Sequence, residues 1–212
     1  MSKFLDKIIE RAKTDKQKIV LPEGSDIRTV QAARAILDAG IADVIILGSQ
    51  SEVAAHGIDV SDATVIDPRE SDLLEPYAQK FAELRKKKGV TINEAREQMK
   101  DESYFGVMMV YMDDADGMVS GACHSTADTL RPALQILKTA PGTELVSSFF
   151  VEDVPDCPYG DDGLFVFADC ALNIYPTAEE LAAWHALSGL PVRRFFNTSG
   201  TRYRELGLKE RL

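Results

Sequence analysis

Short apolar runs alternate with amphipathic segments along the first third of the chain. Apolar runs of strand length cover residues 18–23, 42–48 and 63–67. Between them, residues 26–39 carry apolar and small residues at helical spacing, and a shorter helix is predicted to end near Gly57. Strands with few polar positions, separated by helices, are typical of a parallel sheet covered on both faces. In such a sheet, ligands bind beyond the carboxyl ends of the strands.

The following segment is predicted to be mainly helical. Residues 73–87 carry one apolar face, Thr91 and Glu94 have the spacing of a capping box, and residues 103–113 are apolar nearly all round, as in a buried helix. Further elements are predicted as helices at residues 1–16 and 129–139 and strands at residues 117–121, 145–151 and 164–171. The pattern predicts a three-layer α/β/α fold with a mostly parallel sheet, followed by the opening part of a second α/β domain.

Net charge, apolar runs and cysteine content limit the partners and the cellular compartment that we expect for this protein. The chain has 212 residues and a formal net charge of −10, which argues against nucleic acid or an anionic membrane as a partner. No apolar run approaches the roughly 18 residues that a membrane span needs. Three cysteines without metal-ligand spacing indicate free thiols in a reducing compartment, so we expect a cytoplasmic protein.

A hydroxyl-rich segment after the predicted strand at 117–121 is the strongest candidate for chemistry. It carries hydroxyl side chains at Ser125, Thr126 and Thr129. Pro132 favours a helix start near Asp128 or Thr129, with Arg131 in the first turn. Unpaired N–H groups at a helix start, with hydroxyls and a guanidinium, can bind phosphate. From the residues alone, an ordinary helix cap with a surface arginine is equally well supported.

Other reactive side chains have simpler interpretations. Arg85 begins a basic run at a helix end, where positive charge is favourable in any case. Cys157 lies in a loop between strands with no nearby histidine to activate it. His124 can act as a base, although a hydrogen bond within its loop is the favoured interpretation. The sequence lacks the usual dinucleotide, Walker and zinc motifs, so no metal is expected.

Residues 1–180 resemble the phosphate acetyltransferase (phosphotransacetylase) family in many stretches, in the family's order and spacing. The matching stretches are IVLPE at 19–23, DIR at 26–28, LRKKKGV at 84–90, YFGVMM at 104–109, DGMVSGA at 116–122, HSTADTLRP at 124–132, ILKT at 136–139, VPDC at 154–157 and FAD at 167–169. The resemblance implies reversible acetyl transfer between acetyl phosphate and coenzyme A, with coenzyme A as a substrate and no permanently bound cofactor or metal. It also implies a homodimer or higher homo-oligomer.

The resemblance assigns roles to residues already singled out. Arg85 and Arg131 match the family's anion-binding arginines, and the phosphate-side hydroxyls match Ser125, Thr126 and Thr129. Cys157 matches a thiol near the family's site that is not the nucleophile.

The family's Ser-Arg pair and its Asp base lie downstream of the matching region, so no catalytic residue is identified here. Residues 181–212 hold six basic and two acidic residues, whereas the remaining chain has a net charge of −14. We therefore expect a first α/β domain at 1–143, a fragment of a second at 144–183 and a basic, unrelated tail at 184–212. A chain truncated in this way should have little acetyl transfer activity.

Several alternatives remain open at the level of sequence. An acyltransferase for a longer acyl phosphate, such as butyryl phosphate, would share these features. A non-catalytic remnant that binds ligand or a protein partner is a second alternative. A third is an oxidoreductase, since decarboxylating dehydrogenases share the broad architecture. The sequence has neither the nicotinamide-binding fingerprint nor the paired metal-binding aspartates of those enzymes, which counts against this third alternative.

Overall fold

The computed structural model describes residues 3–141, 146, 148–159, 163–169, 179 and 182. The chain divides into two compact units, Met1–Glu144 and Leu145–Leu212. The described helices are α1 (Lys3–Thr14), α2 (Ile27–Ala39), α3 (Gln50–Ala55), α4 (Leu74–Arg85), α5 (Ile92–Gln98), α6 (Glu102–Tyr111) and α7 (Thr126–Ile136), with a 3₁₀ turn at Lys86–Lys88. The described strands are β1 (Gln17–Leu21), β2 (Ala42–Leu47), β3 (Thr64–Ile66), β4 (Gly117–Met118), β5 (Ser148–Asp153) and β6 (Leu164–Asp169).

The first unit is built on a four-stranded parallel sheet. Its strand order is β3-β2-β1-β4, and every neighbouring pair is parallel. The connection through α2 joins β1 to β2, and the connection through α4, α5 and α6 carries the chain across to β4. This is the parallel α/β sheet that the sequence predicts. The strand expected at residues 117–121 is shorter, since only Gly117 and Met118 pair with β1.

Helices cover both faces of this sheet, which gives the three predicted layers. Alternate strand residues point to opposite faces because the side-chain period of a strand is two. One apolar cluster joins the strand residues Val20, Ile45 and Leu47 to side chains of α4, α5, α6 and α7. The other joins Leu21, Val44 and Ile46 to α2 and α3. Each fully buried aliphatic side chain contributes roughly 1.5–3 kcal/mol relative to an exposed one.

The buried helix expected near residues 103–113 is α6. Asp101 caps it by accepting a hydrogen bond from the backbone N–H of Tyr104 at 3.0 Å. Phe105 and Met108 are fully buried, because the helix lies between the sheet and the neighbouring helices. An all-round apolar helix is stable only in such a position. The α6 backbone at Gly106 lies close to the side chains of Met118 and Leu47, the last residues of β4 and β2.

The second unit contains an antiparallel hairpin of β5 and β6. The predicted strands overlap it, although residues 145, 147, 170 and 171 lie outside the described residues. The basic tail expected at 184–212 also lies outside them. Within the described part of the chain, no helix is both long enough and apolar enough to cross a membrane.

Glu102 in the first turn of α6 should make stability depend on pH. Burial raises the pKa of this carboxyl from 4.5 to about 6, with nearby Arg69 opposing the shift and Glu52 adding to it. Folding therefore disfavours the ionised form, and stability is lost as pH rises from 4.5 through about 6. Glu102→Gln should stabilise the protein by about 1 kcal/mol above pH 7, a value discounted for partial exposure.

Urea unfolding of the two proteins at pH 4.5 and pH 7.5 measures this difference. The gap between Glu102→Gln and wild type should be near zero at the lower pH and open at the higher one. An equal gap at both values would mean that the substitution acts through packing rather than through ionisation.

Candidate functional site

Ser125 caps α7 and fixes where this helix begins. Its side chain accepts a hydrogen bond from the backbone N–H of Asp128 at 3.3 Å and donates to the Asp128 carboxylate at 2.6 Å. The sequence prediction of a start near Asp128 or Thr129 is therefore wrong, because the Ser125 cap makes Thr126 the first helical residue. Pro132 lies inside the helix and not in its first turn. Arg131 is the sixth helical residue, so it lies beyond the exposed N–H groups of the first turn.

The loop between β4 and α7 wraps a buried carboxylate. Glu23 follows β1 and is 2% exposed. It accepts hydrogen bonds from four successive backbone N–H groups, those of residues 121–124. The donor–acceptor distances are 3.0 Å from Gly121, 2.8 Å from Ala122, 2.8 Å from Cys123 and 2.9 Å from His124. Successive N–H groups that converge in this way form an anion-binding concavity, and here Glu23 fills it.

The electrostatics of Glu23 follow from these donors. Burial by itself would raise the pKa of this carboxyl. The backbone N–H groups of Cys123, Ala122 and His124, together with the His124 ring, outweigh burial and lower the pKa to about 2. Glu23 is consequently ionised at neutral pH, and its carboxylate can only accept hydrogen bonds.

Because Glu23 can only accept, it determines the tautomer of His124. Nδ1 of His124 lies 2.8 Å from the Glu23 carboxylate and must carry a proton to make this contact. Nε2 is then the nitrogen left to accept a hydrogen bond when the ring is neutral. The hydrogen-bond partner of His124 lies outside its own loop, although the sequence predicts one within it; the partner is Glu23, about a hundred residues earlier in the chain.

Arg28 ties the amino end of α2 to the same loop. Its guanidinium donates to both oxygens of Asp26, the cap of α2, at 3.0 and 2.7 Å, and also to the carbonyl of Ala122. The side-chain hydrogen bond from Arg28 lowers the pKa of Asp26 to about 2. The residue lies in one of the stretches quoted for the family resemblance, but its residue type alone did not point to this bridging contact.

Arg85 and Arg131 lie on the wall of one cleft of about 1040 Å³. Arg131 is 59% exposed, and its nearest acidic partner is Asp128 at 3.9 Å. The Nε of Arg85 is buried and has no hydrogen-bond partner among the described residues. Tyr104 also lines the cleft and donates its hydroxyl to Gln135 at 3.2 Å. The structure thus brings together the two arginines that the sequence singled out.

The hydroxyl residues stand apart from this cleft wall. Ser125 is engaged in capping, and the Thr129 hydroxyl donates to the Ser125 carbonyl at 3.2 Å. Thr126 is exposed at the first helical position. A path of contacts still connects the two groups, from Ser125 through Asp128 to Arg131. Cys157 is a free, partly buried thiol in the second unit, in the loop between β5 and β6.

Among the described residues, one cluster of side chains has ligand atoms close enough together to hold a metal ion. Glu23, Cys123 and His124 each offer a ligand atom, and these atoms lie within 4.8 Å of one another. The Glu23 oxygens already accept five hydrogen bonds from the loop and its histidine, so a metal would have to displace them. This arrangement fits a structural carboxylate better than a metal ligand.

Comparison with known proteins identifies the family. The family described as "Phosphate acetyl/butaryl transferase" matches residues 3–198, which extends beyond the boundary expected at residue 183. Phosphate acetyltransferase from Thermoanaerobacterium thermosaccharolyticum is 55% identical over 182 residues, covering 85% of this chain and 56% of that protein. Phosphate acetyltransferase from Acetivibrio thermocellus is 55% identical over 181 residues, covering 84% of this chain and 54% of that protein.

A solved structure supports the same relation. The phosphotransacetylase from Streptococcus pyogenes aligns with a TM-score of 0.75 and 43% identity, over 86% of this chain and 56% of that one. The chain spans about half the length of the curated relatives it matches. The family match and these relatives confirm the resemblance found in the sequence: the chain belongs to the phosphate acetyl/butaryl transferase family.

Proposed function

We propose that this chain carries the anion-binding part of a phosphate acetyltransferase, which transfers an acetyl group reversibly between acetyl phosphate and coenzyme A. The observation that carries the proposal is the cleft shared by Arg85 and Arg131. A buried guanidinium nitrogen without a partner is costly, and an anionic ligand would supply the missing acceptor. Both substrates are polyanions, and guanidinium groups bind phosphate with paired hydrogen bonds.

The reaction makes few demands beyond positioning and charge. The thiolate of coenzyme A attacks the carbonyl carbon of acetyl phosphate, a C–S bond forms, and the C–O bond to phosphate breaks. The protein must bind two anionic substrates side by side and stabilise the oxyanion that forms. In this proposal coenzyme A is a substrate and not a permanent cofactor. The family resemblance assigns Ser125, Thr126 and Thr129 to the phosphate side, and it assigns Cys157 no role as the nucleophile.

Two acidic residues that line the cleft, Glu94 and Glu97, are hydrogen-bonded to groups other than the two arginines. The guanidinium groups of Arg85 and Arg131 therefore remain for a ligand. Glu94 forms a capping box with Thr91, and Glu97 accepts a hydrogen bond from Lys100 at 2.7 Å. We expect Arg85 to bind a ligand phosphate more strongly than Arg131 does, because Arg85 is less exposed. This reverses the order expected if Arg131 stood in the first turn of α7.

The arginine assignment predicts weaker ligand binding in two variants. Arg85→Ala and Arg131→Ala should each weaken phosphate and coenzyme A binding, since a charge-assisted hydrogen bond contributes about 1.5–3 kcal/mol, or roughly tenfold to 150-fold. We expect the larger loss for Arg85→Ala. Arg34→Ala is the matched control, because Arg34 pairs with Asp38 on α2 away from the cleft. Isothermal titration with each ligand measures the effect; losses no greater than in the control would contradict the assignment.

The proposed activity is tested by thiol-dependent loss of acetyl phosphate. The purified chain is assayed beside the full-length phosphate acetyltransferase of T. thermosaccharolyticum. We expect ligand binding with a rate at least tenfold lower than in that relative, because no residue of this sequence is identified as the base, and a positioned base contributes about 10²–10⁴-fold. A rate within tenfold would mean that a residue of this chain supplies the base. Failure to bind either substrate would leave only the non-catalytic alternative. Parallel assays with butyryl phosphate test the longer acyl chain.

We further propose that the protein is cytoplasmic and self-associates. Two free thiols, Cys123 and Cys157, support a reducing compartment. The β5–β6 hairpin exposes large apolar side chains on both of its faces, namely Phe149 at 67%, Phe150 at 58%, Val166 at 68% and Phe167 at 54%. Apolar surface of this kind is typical of a protein interface. A homodimer or a higher homo-oligomer would cover it.

The assembly proposal predicts a mass greater than that of one chain. Light scattering at micromolar concentration should give a dimer or larger species, and Phe149→Ser combined with Phe167→Ser should shift it toward the monomer. Leu134→Ser removes an exposed apolar residue of the first unit and serves as control. A monomeric wild-type protein would contradict the proposal.

A further inference from the structure

The order of the strands creates a crevice at the carboxyl edge of the sheet. From β1 the chain proceeds to β2 on one side, whereas β4 lies on the other side of β1. The helix after β1, α2, packs in the apolar cluster on one face of the sheet, and the helix after β4, α7, packs in the cluster on the other face. Such a point in an open α/β sheet is where ligands usually bind. Glu23 follows β1, and residues 121–124 follow β4. The Glu23 contact therefore spans the crevice itself.

The donors in this crevice are arranged as they would be around a bound oxyanion. Four consecutive N–H groups converge on two carboxylate oxygens at distances between 2.8 and 3.0 Å. Gly121 opens the loop with a φ of 116°, a conformation that glycine adopts far more readily than other residues. The concavity thus has the converging N–H donors of an anion-binding site, but the anion that it holds is the carboxylate of Glu23.

We propose that Glu23 is a positioning residue whose carboxylate takes the place of a ligand anion in this crevice, and thereby sets residues 121–124, the His124 ring and the start of α7. Any bound phosphate then contacts groups outside the crevice. The functional part of the inference rests on the proposed binding of phosphate at the arginine cleft. The occupation of the crevice by Glu23 does not depend on that binding.

The physical path from Glu23 to the cleft runs through α7. His124 is held by two hydrogen bonds to Glu23, one from its backbone N–H and one from Nδ1. The next residue is Ser125, whose cap begins the helix that carries Arg131. If the loop loses its carboxylate, the four N–H groups lose their common acceptor, and the Ser125 cap then follows a loop whose position is no longer fixed. Arg131 would then occupy a range of positions instead of one.

Chemical rescue tests whether the crevice is an anion site. Glu23→Ala removes the carboxylate and one methylene, which acetate can replace atom for atom. The variant should show a fall in Tm of roughly 5–10 °C, because it leaves several buried donors unpaired. Acetate should recover at least half of that fall in a saturable manner, whereas chloride at equal ionic strength should not. Recovery that is equal in both salts, or absent in both, would overturn the proposal.

Glu52→Gln is the matched control for rescue. Its carboxylate also accepts hydrogen bonds, from the backbone N–H of Ser49 at 3.2 Å and from the Ser49 hydroxyl at 2.7 Å, but it is exposed and these donors belong to a single residue. Acetate should leave the Tm of this variant unchanged relative to chloride. An equal response of Glu52→Gln and Glu23→Ala to acetate would mean a general salt effect, which would also overturn the proposal.

Glu23→Gln and Glu23→Asp test the positioning role of Glu23, and they still test it if Glu23→Ala fails to fold. The amide places donors against donors, and the shorter acid keeps the charge but reaches less far. We expect phosphate binding to weaken about tenfold or more in Glu23→Gln, with partial recovery in Glu23→Asp. Nitrogen-15 NMR of His124 should show the Nδ1–H tautomer in wild type and a changed ring state in Glu23→Gln.

These results separate the two proposals. If wild type binds no phosphate, the proposed function fails and the positioning role fails with it, whereas acetate rescue still decides whether the crevice is an anion site. If wild type binds phosphate and Glu23→Gln binds it equally, with an unchanged His124 ring, the positioning role alone is wrong.

Discussion

The ionised carboxylate of Glu23 is the contact on which the functional edge of the sheet depends. A buried charge is tolerated only when hydrogen bonds replace the water it has lost. Residues 121–124 supply that replacement in full, and they gain from it the acceptor that their own N–H groups require. Each side of the contact would be unsatisfied without the other, so the ends of β1 and β4 are fixed together.

The residues that follow Glu23 in the sequence fix the position of its carboxylate. Gly24 donates its N–H to the carbonyl of Leu47 at 3.0 Å, which holds the chain against the end of β2. A Cβ at Gly24 would overlap the Leu47 carbonyl and lie 2.7 Å from Cγ2 of Ile46. Arg28, which is held by Asp26, then donates a hydrogen bond to the Ala122 carbonyl of the loop. Three strand ends and the start of α2 thus meet around one anion.

Local patterns predicted the elements of the first unit but not this contact. Hydrophobic period and capping residues act over a few positions, so β1, β2, α2, α5 and α6 could be recognised from neighbouring residues alone. Glu23 is paired with residues about a hundred positions away, and nothing in the intervening pattern marks the pair. The start of α7 was misplaced for a related reason, since Pro132 is a local signal and the Ser125 cap outweighs it. The shared cleft of Arg85 and Arg131 likewise depends on tertiary packing.

The occupation of the crevice by Glu23 also limits how the cleft can bind a ligand. Backbone N–H groups can bind phosphate, but those of residues 121–124 already donate to Glu23. An incoming oxyanion must then be bound largely by side-chain cations, of which Arg85 is partly buried and Arg131 exposed. An exposed guanidinium is screened by salt, whereas a partly buried one is screened less. Affinity at physiological ionic strength should therefore depend more on Arg85 than on Arg131, and the contribution of Arg131 should fall further as salt is added.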